Sequence, residues 1–141
     1  MPEPTIELPT GHIYRLAGSD WVAVSKDGAT VTVKSRPYAF WILLQYTLGE
    51  LSSLATRACA DARLATDQCS PLPIEDIIRA GLTAPSEEWQ ELALARATEF
   101  SEKHVFEREI SELVTSGKTQ AIRHRALRLR ARLRREGIHE S

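Results

Sequence analysis

Residues 21–37 read Trp-Val-Ala-Val-Ser-Lys-Asp-Gly-Ala-Thr-Val-Thr-Val-Lys-Ser-Arg-Pro. They hold two strand-like runs and the point where the pattern changes. Trp21–Ser25 and Ala29–Val33 are β-branched and aromatic-rich, as a pleated, half-buried surface favours. Lys26-Asp27-Gly28 supplies a turn between them, with Gly28 free to take a positive φ. Thr30 and Thr32 alternate with Val31 and Val33, so the second run has one wet face and one dry one. Pro37 ends this two-residue period. It suits the first turn of a helix, and Ser35 is placed to cap it.

Upstream, His12–Leu16 reads as an earlier strand before the turn Ala17-Gly18-Ser19-Asp20, and Thr5–Leu8 as at most a short edge piece. The expectation for residues 1–34 is a three-stranded antiparallel meander. Downstream, Tyr38–Leu48 is apolar nearly all round, which predicts a buried helix, weakened at Gly49. Leu51, Ala55, Ala58, Ala62 and Ala65 then form a narrow stripe that ends at Thr66-Asp67. After the loop Ser70-Pro71-Leu72-Pro73, a short helix over Ile74–Ala80 stops at Gly81.

Ser86 caps a long helix with Glu87 and Glu88 in the first turn, where the helix dipole favours them. Trp89, Leu92, Arg96, Phe100, Phe106, Ile110 and Leu113 are expected on one broad face, and the polar stretch Ser101–His104 allows a break. A last helix runs from about Thr119 to Arg135. The fold class is therefore α+β in a single domain, residues 1–141. It comprises a β-meander over 1–34, a helical body over 37–115 and a basic C-terminal helix over 118–136.

The 141 residues, 43% hydrophobic and 26% charged, match an average globular domain. A chain of this size buries roughly two-thirds of its unfolded surface. Met1–His12 has neither Lys or Arg nor the apolar centre of a secretion leader. The eleven-residue run Tyr38–Leu48 is shorter than the ~20 residues a membrane span needs. A cytoplasmic protein is expected. Cys59 and Cys69, ten apart, match no metal or redox spacing and read as two reduced thiols. A disulfide tying the helix end to the following loop is the alternative.

Familiar catalytic patterns do not fit. Ser116-Gly117-Lys118-Thr119 resembles the end of a phosphate-binding loop, but Glu112 stands where that motif needs Gly, and the preceding pattern is helical. A helix–helix turn with Gly117 at the C-cap is the expectation. His12, His104, His124 and His139 form no HExxH set, and a Glu-x-x-His motif ending at His104 would need Glu where Ser101 stands. A helix-turn-helix register around Gly81 fails at Glu87 and Gln90, where apolar residues belong. The chain reads as non-enzymatic, with no cofactor, metal site or small-molecule substrate identified.

The strongest feature is charge segregation. Residues 1–116 hold 10 Lys+Arg and 17 Asp+Glu; residues 117–141 hold 8 and 2. In the last helix Ile122, Ala126, Leu129 and Leu133 form a 4-3-4 seam, the spacing of helices that pair. Arg123, Arg130 and Arg134 flank it on one side, and Arg125, Arg128, Arg132 and Arg135 on the other. Lys118 adds an eighth basic group.

The preferred reading is a protein-interaction or assembly module, such as a small adaptor subunit of a phage or other large complex. It would pair through these helices with the acidic stretch Glu75–Glu112, with a protein partner or with itself. The alternative is nucleic-acid binding through phosphate contacts. No aromatic lies beyond Glu107, which disfavours base stacking and points to sequence-independent duplex contact. A membrane partner is disfavoured because the seam lacks Trp and Phe.

Overall fold

The computed structural model of the protein describes residues 3–140, and the side chain of His139 lies outside the described residues. The sequence reading treats the chain as one domain. The structure groups it into two compact units, residues 1–77 and 78–141, with helix α2 (Ile74–Leu82) running from one into the other.

The first unit opens on four strands, β1 (Thr5–Glu7), β2 (Ile13–Ala17), β3 (Asp20–Val24) and β4 (Thr30–Val31). They form an antiparallel sheet in the order β1-β2-β3-β4. The expected three-strand count is corrected to four, because Thr5–Glu7 pairs in full with Ile13–Arg15. The β2–β3 connection is a two-residue hairpin closed by Ala17 opposite Asp20. Only Gly18 takes a positive φ there, 67°, as a type II′ turn requires. Tyr14 faces Ala23 and Leu16 faces Trp21 across the register, and all four are buried.

At the next turn the Ser25 hydroxyl donates to the Asp27 carboxylate, which also accepts from the Ala29 amide at 3.1 Å. These bonds hold the Asp27 carboxyl below its ordinary range, the Ser25 hydroxyl contributing most. The last strand is only two residues long where Ala29–Val33 was expected. Ser35 does not cap a helix but folds back on Thr32, its hydroxyl donating to the Thr32 carbonyl at 3.0 Å. That local turn takes the chain out of the ladder.

The predicted buried helix at Tyr38–Leu48 is instead a 3-10 segment, Pro37–Gln45, followed by α1 (Leu48–Asp61). Thr47 sets the boundary. Its side chain accepts from the Glu50 amide at 3.1 Å, while the Glu50 carboxylate accepts from the Thr47 amide at 2.9 Å. This capping box holds Thr47 extended and starts a new helix. The three-residue turn places Phe40 and Leu43 on one face, both fully buried.

The α1 stripe ends earlier than predicted. Arg63 adopts φ 59°, and the amides of Arg63 and Leu64 donate to the carbonyls of Ala60 and Cys59 at 2.9 Å each. That is a Schellman turn with Arg in the glycine position. Leu51, Ala55 and Ala58 are buried, whereas Ala62 and Ala65 lie beyond the helix.

The reduced-thiol expectation is overturned: Cys59 and Cys69 are joined, with Cα atoms 6.0 Å apart. The Arg63 reversal and a short 3-10 turn at Thr66–Gln68 return the chain to α1 at the separation a disulfide needs. Trp21 Nε1 donates to the Ser70 carbonyl at 2.8 Å, so the adjoining loop is also tied to β3. No helix among the described residues is long and apolar enough to cross a membrane.

The second unit contains α3 (Glu87–Glu99), α4 (Glu107–Ser116) and α5 (Gln120–Glu140). The break at Ser101–His104 is present, a 3-10 turn at Lys103–Phe106 joining α3 to α4. The face predicted for α3 is corrected. Trp89, Leu92, Arg96 and Phe100 are only half-buried, and the buried stripe is Gln90, Ala93, Leu94 and Ala97. The two alanines allow close approach, and Gln90 is buried because both ends of its amide are hydrogen-bonded. Phe106, Ile110 and Leu113 are buried as expected.

Arg79 reinforces this unit. Its Nε donates to Glu109 Oε1 at 2.6 Å and its Nη2 to the Val105 carbonyl at 3.2 Å. Its guanidinium carbon lies 5.5 Å from the Phe106 ring centroid.

Two predictions follow from the first unit. Replacing Cys59 and Cys69 with Ser removes a short covalent loop and lowers unfolding free energy by about 2–3 kcal/mol; denaturant melts check this, alongside thiol titration showing no free thiol in the unreduced protein. Tyr14 donates to the Ala39 carbonyl at 2.7 Å, and burial, with a smaller contribution from Tyr46, pushes its ionisation well above the usual value. Above about pH 10 the unfolded chain loses this proton while the folded chain keeps it, so stability falls with rising pH. Tyr14→Phe costs about 1 kcal/mol at pH 8. Its deficit against the wild type should shrink in melts at pH 11.

Candidate polyanion-binding surface

The turn between α4 and α5 decides which way the charges of α5 point. Gly117 ends α4, its amide donating to the Leu113 carbonyl at 3.0 Å. Its φ is −56°, so glycine is not needed here for a left-handed conformation. Space is the reason. A Cβ on Gly117 would lie 2.8 Å from Ile122 Cγ2, 2.8 Å from the Leu113 carbonyl oxygen and 3.1 Å from Arg123 Cγ.

Thr119 then starts α5, its hydroxyl oxygen accepting from the Ile122 amide at 3.1 Å. Arg123 Nη1 closes the turn by donating to the Gly117 carbonyl at 2.8 Å. Gln90 anchors it from α3: Oε1 accepts from the Lys118 amide at 3.0 Å, and Nε2 donates to the Ala84 carbonyl at 2.8 Å.

With the turn fixed, α5 packs against α4 and α3. Ile122, Ala126, Leu129 and Leu133 are all buried. The seam is therefore occupied within the chain. The acidic stretch supplies few of the ion pairs that charge complementarity predicts. Arg134 meets Glu107 at 3.6 Å, with both side chains about half exposed, a pair that contributes about 0–1 kcal/mol. Glu112 pairs with Arg108 on its own helix, and Glu109 is taken by Arg79.

The remaining basic residues divide by position. Arg123 is spent on the turn. The Lys118 side chain is exposed beside it, and Arg130 is half-buried on the Arg134 flank. Arg125, Arg128, Arg132 and Arg135 stand at i, i+3, i+7 and i+10, one stripe on the other flank. Arg125 is half-buried and the other three are exposed. None of the four has a carboxylate partner among the described residues. At 1.5 Å per residue the stripe is about 15 Å long.

Comparison with protein-family models, with curated proteins and with solved structures finds no match. Among the described residues no group of three or more His, Cys, Asp or Glu could hold a metal ion, and Cys59 and Cys69 are consumed in their disulfide. The residue that sequence reading missed is Gln90. It appeared only as a misfit in a rejected motif, yet it fixes the turn that aims α5. Its signal was a lone amide at an otherwise apolar helical position.

Substitution of Gly117 by Ala should destabilise the second unit by about 1–3 kcal/mol, the usual cost of overpacking, because one of the two closest atoms is a backbone carbonyl that cannot rotate away. Thermal melts of the variant check this. An unchanged midpoint would contradict the packing account of this glycine.

Proposed function

We propose that this protein is a non-enzymatic binding module that meets the phosphate backbone of duplex nucleic acid through Arg125, Arg128, Arg132 and Arg135. One observation carries the reading: four guanidiniums share a face of α5, and among the described residues none of them is paired with a carboxylate. Buried seam residues leave that face turned outward, so binding need not disturb the packing. Arginine suits the task, since its planar fork meets phosphate oxygens in pairs. Duplex DNA carries one charge per about 1.7 Å of axis, so a 15 Å stripe spans more phosphates than it has arginines. No aromatic stands on the helix to stack bases, which favours backbone contact over a single strand. A cytoplasmic location belongs to this proposal, and it requires the Cys59–Cys69 bond to withstand a reducing thiol pool.

A protein partner or self-association is the second reading. Leu127, 45% exposed on α5, favours it, because an apolar side chain among arginines gives an adaptor or assembly contact something to bury. Here the partner would cover the outer face of α5, not the seam.

Fluorescence anisotropy with a labelled duplex of about 20 base pairs tests the first reading. With four phosphates neutralised, affinity should fall about 150-fold between 50 and 200 mM salt. Changing Arg125, Arg128 and Arg132 together to Gln should reduce that dependence to about fourfold and leave the fold intact. The same charge removed at the exposed Lys26, Lys34 and Arg57 should change little. Equal loss in both triple variants would reject the stripe as the site. A stable dimer that dissociates on Leu127→Ser, with no duplex binding, would favour the second reading.

A further inference from the structure

We propose that the first unit contains a binding pocket for a small, uncharged, largely apolar molecule, between α1 and the loop after the disulfide. The hollow measures about 370 Å³. Leu51, Ala55 and Cys59 form its floor along α1, and Cys69 and Leu72 face them from the loop. Not one of its lining residues is charged; the hydroxyls of Ser52, Thr56, Thr66 and Ser70 are its main side-chain polar groups. That is the ordinary make-up of a ligand site: mainly apolar walls with a few groups to orient the guest.

The restraints on the loop set this hollow apart from a surface irregularity. Protein interiors close to near-crystalline density wherever chain movement allows, and an apolar void loses contacts on every side. Here the position of the loop relative to α1 is fixed at several points, so it is not free to close the gap. Cys69 is bonded to Cys59, Trp21 fixes the Ser70 carbonyl, and Pro71 and Pro73 remove backbone freedom on either side of Leu72. On α1 the positions facing the opening are small: Ser52, Thr56 and Ala60, all exposed. A wall held this way is pre-formed, so a guest need not order it first.

The lining also selects. A carboxylate or ammonium would be desolvated with no opposite charge to receive it, so the guest is neutral. An apolar cavity of about 150 Å³ takes up benzene. A volume about two and a half times larger therefore suits some ten to fifteen non-hydrogen atoms, two fused rings or a ten-carbon chain.

Titration of the unreduced, full-length protein with 1-aminonaphthalene, a two-ring probe that is neutral at pH 8 and changes its fluorescence in apolar surroundings, tests this. The expected result is saturable, one-to-one binding. Decanol should displace the probe, and decanoate at pH 8 should do so at least tenfold more weakly. Thr56→Trp, which places a large ring across the mouth from an exposed helical position, should weaken binding at least tenfold. If that variant fails to fold, Ala60→Phe blocks the same mouth. Lack of saturable binding by protein that melts cooperatively would overturn the proposal. So would equal displacement by decanoate and decanol, or binding indifferent to the mouth variants. A dimer in sedimentation that Thr56→Trp dissociates would also overturn it, by showing that a second copy fills the hollow.

Discussion

The close approach at Gly117 is the constraint on which the second unit depends. Two helices can reverse direction over Gly117–Thr119 only if nothing projects from residue 117, because Ile122 and the Leu113 carbonyl occupy that space. Once the approach is made, the phase of α5 is fixed. The four-three-four seam must face α4 and α3, and the residues about a quarter-turn or more away must face out. Where the arginines point is thus a consequence of one missing methyl group, with Gln90 securing the turn from α3 by bonds to Ala84 and Lys118. Among the described residues, charged groups add to this only through the Arg123 bond to the Gly117 carbonyl and the half-exposed Arg134–Glu107 pair.

The first unit relies on a different kind of constraint. Its elements are short, and local devices fix their ends: the Gly18 turn, the Thr32–Ser35 turn, the Thr47–Glu50 capping box and the Arg63 reversal. Each satisfies backbone groups that an element end leaves open. Together they deliver Cys69 to Cys59 and the Ser70 carbonyl to Trp21. The disulfide thus follows from chain geometry that three or four local sequence signals produce, and no spacing rule for cysteines contains it.

Much of this was legible in the sequence, and the misses share a cause. Alternation marked the strands and the three-to-four spacing marked the seam, because burial imposes those periods directly. The polar break after Phe100 was visible for the same reason. What failed was weighing local side-chain chemistry against apolar content. Thr47–Glu50 starts a helix inside what looked like a continuous one. Arg63 ends another where no glycine gives warning. On α3 the large residues Trp89 and Phe100 attracted the assignment of the core face, yet Ala93 and Ala97 hold it, since small residues let a neighbouring helix come near. The candidate site was half legible: the residues of both flanks could be named from the sequence, but which guanidiniums would lack carboxylates required the turn.

That lack can be weighed. Along α5, Arg128/Arg132 and Arg130/Arg134 are like-charged pairs at i, i+4, each unfavourable by a few tenths of a kcal/mol. Burial of Ile122, Leu129 and Leu133 contributes about 1.5–3 kcal/mol apiece before entropy is counted, so the seam exceeds the repulsion several-fold. The helix holds its shape with its charges uncompensated. Compensation was within reach, since Glu75–Glu112 carries 10 acidic residues. Of these, Glu109 is turned to Arg79, Glu112 to Arg108 and Glu99 to Arg96. Among the described residues only Glu107 forms an ion pair with α5. Three of the four paired carboxylates of the second unit thus meet groups outside α5, and the Arg125–Arg135 stripe keeps a repulsion that an anionic partner would remove. A solvated face of mixed sign would have held the helix as well. The face that close packing at Gly117 turns outward is predominantly basic, with Glu136 at its end, and an anionic partner of the kind proposed would relieve its repulsion.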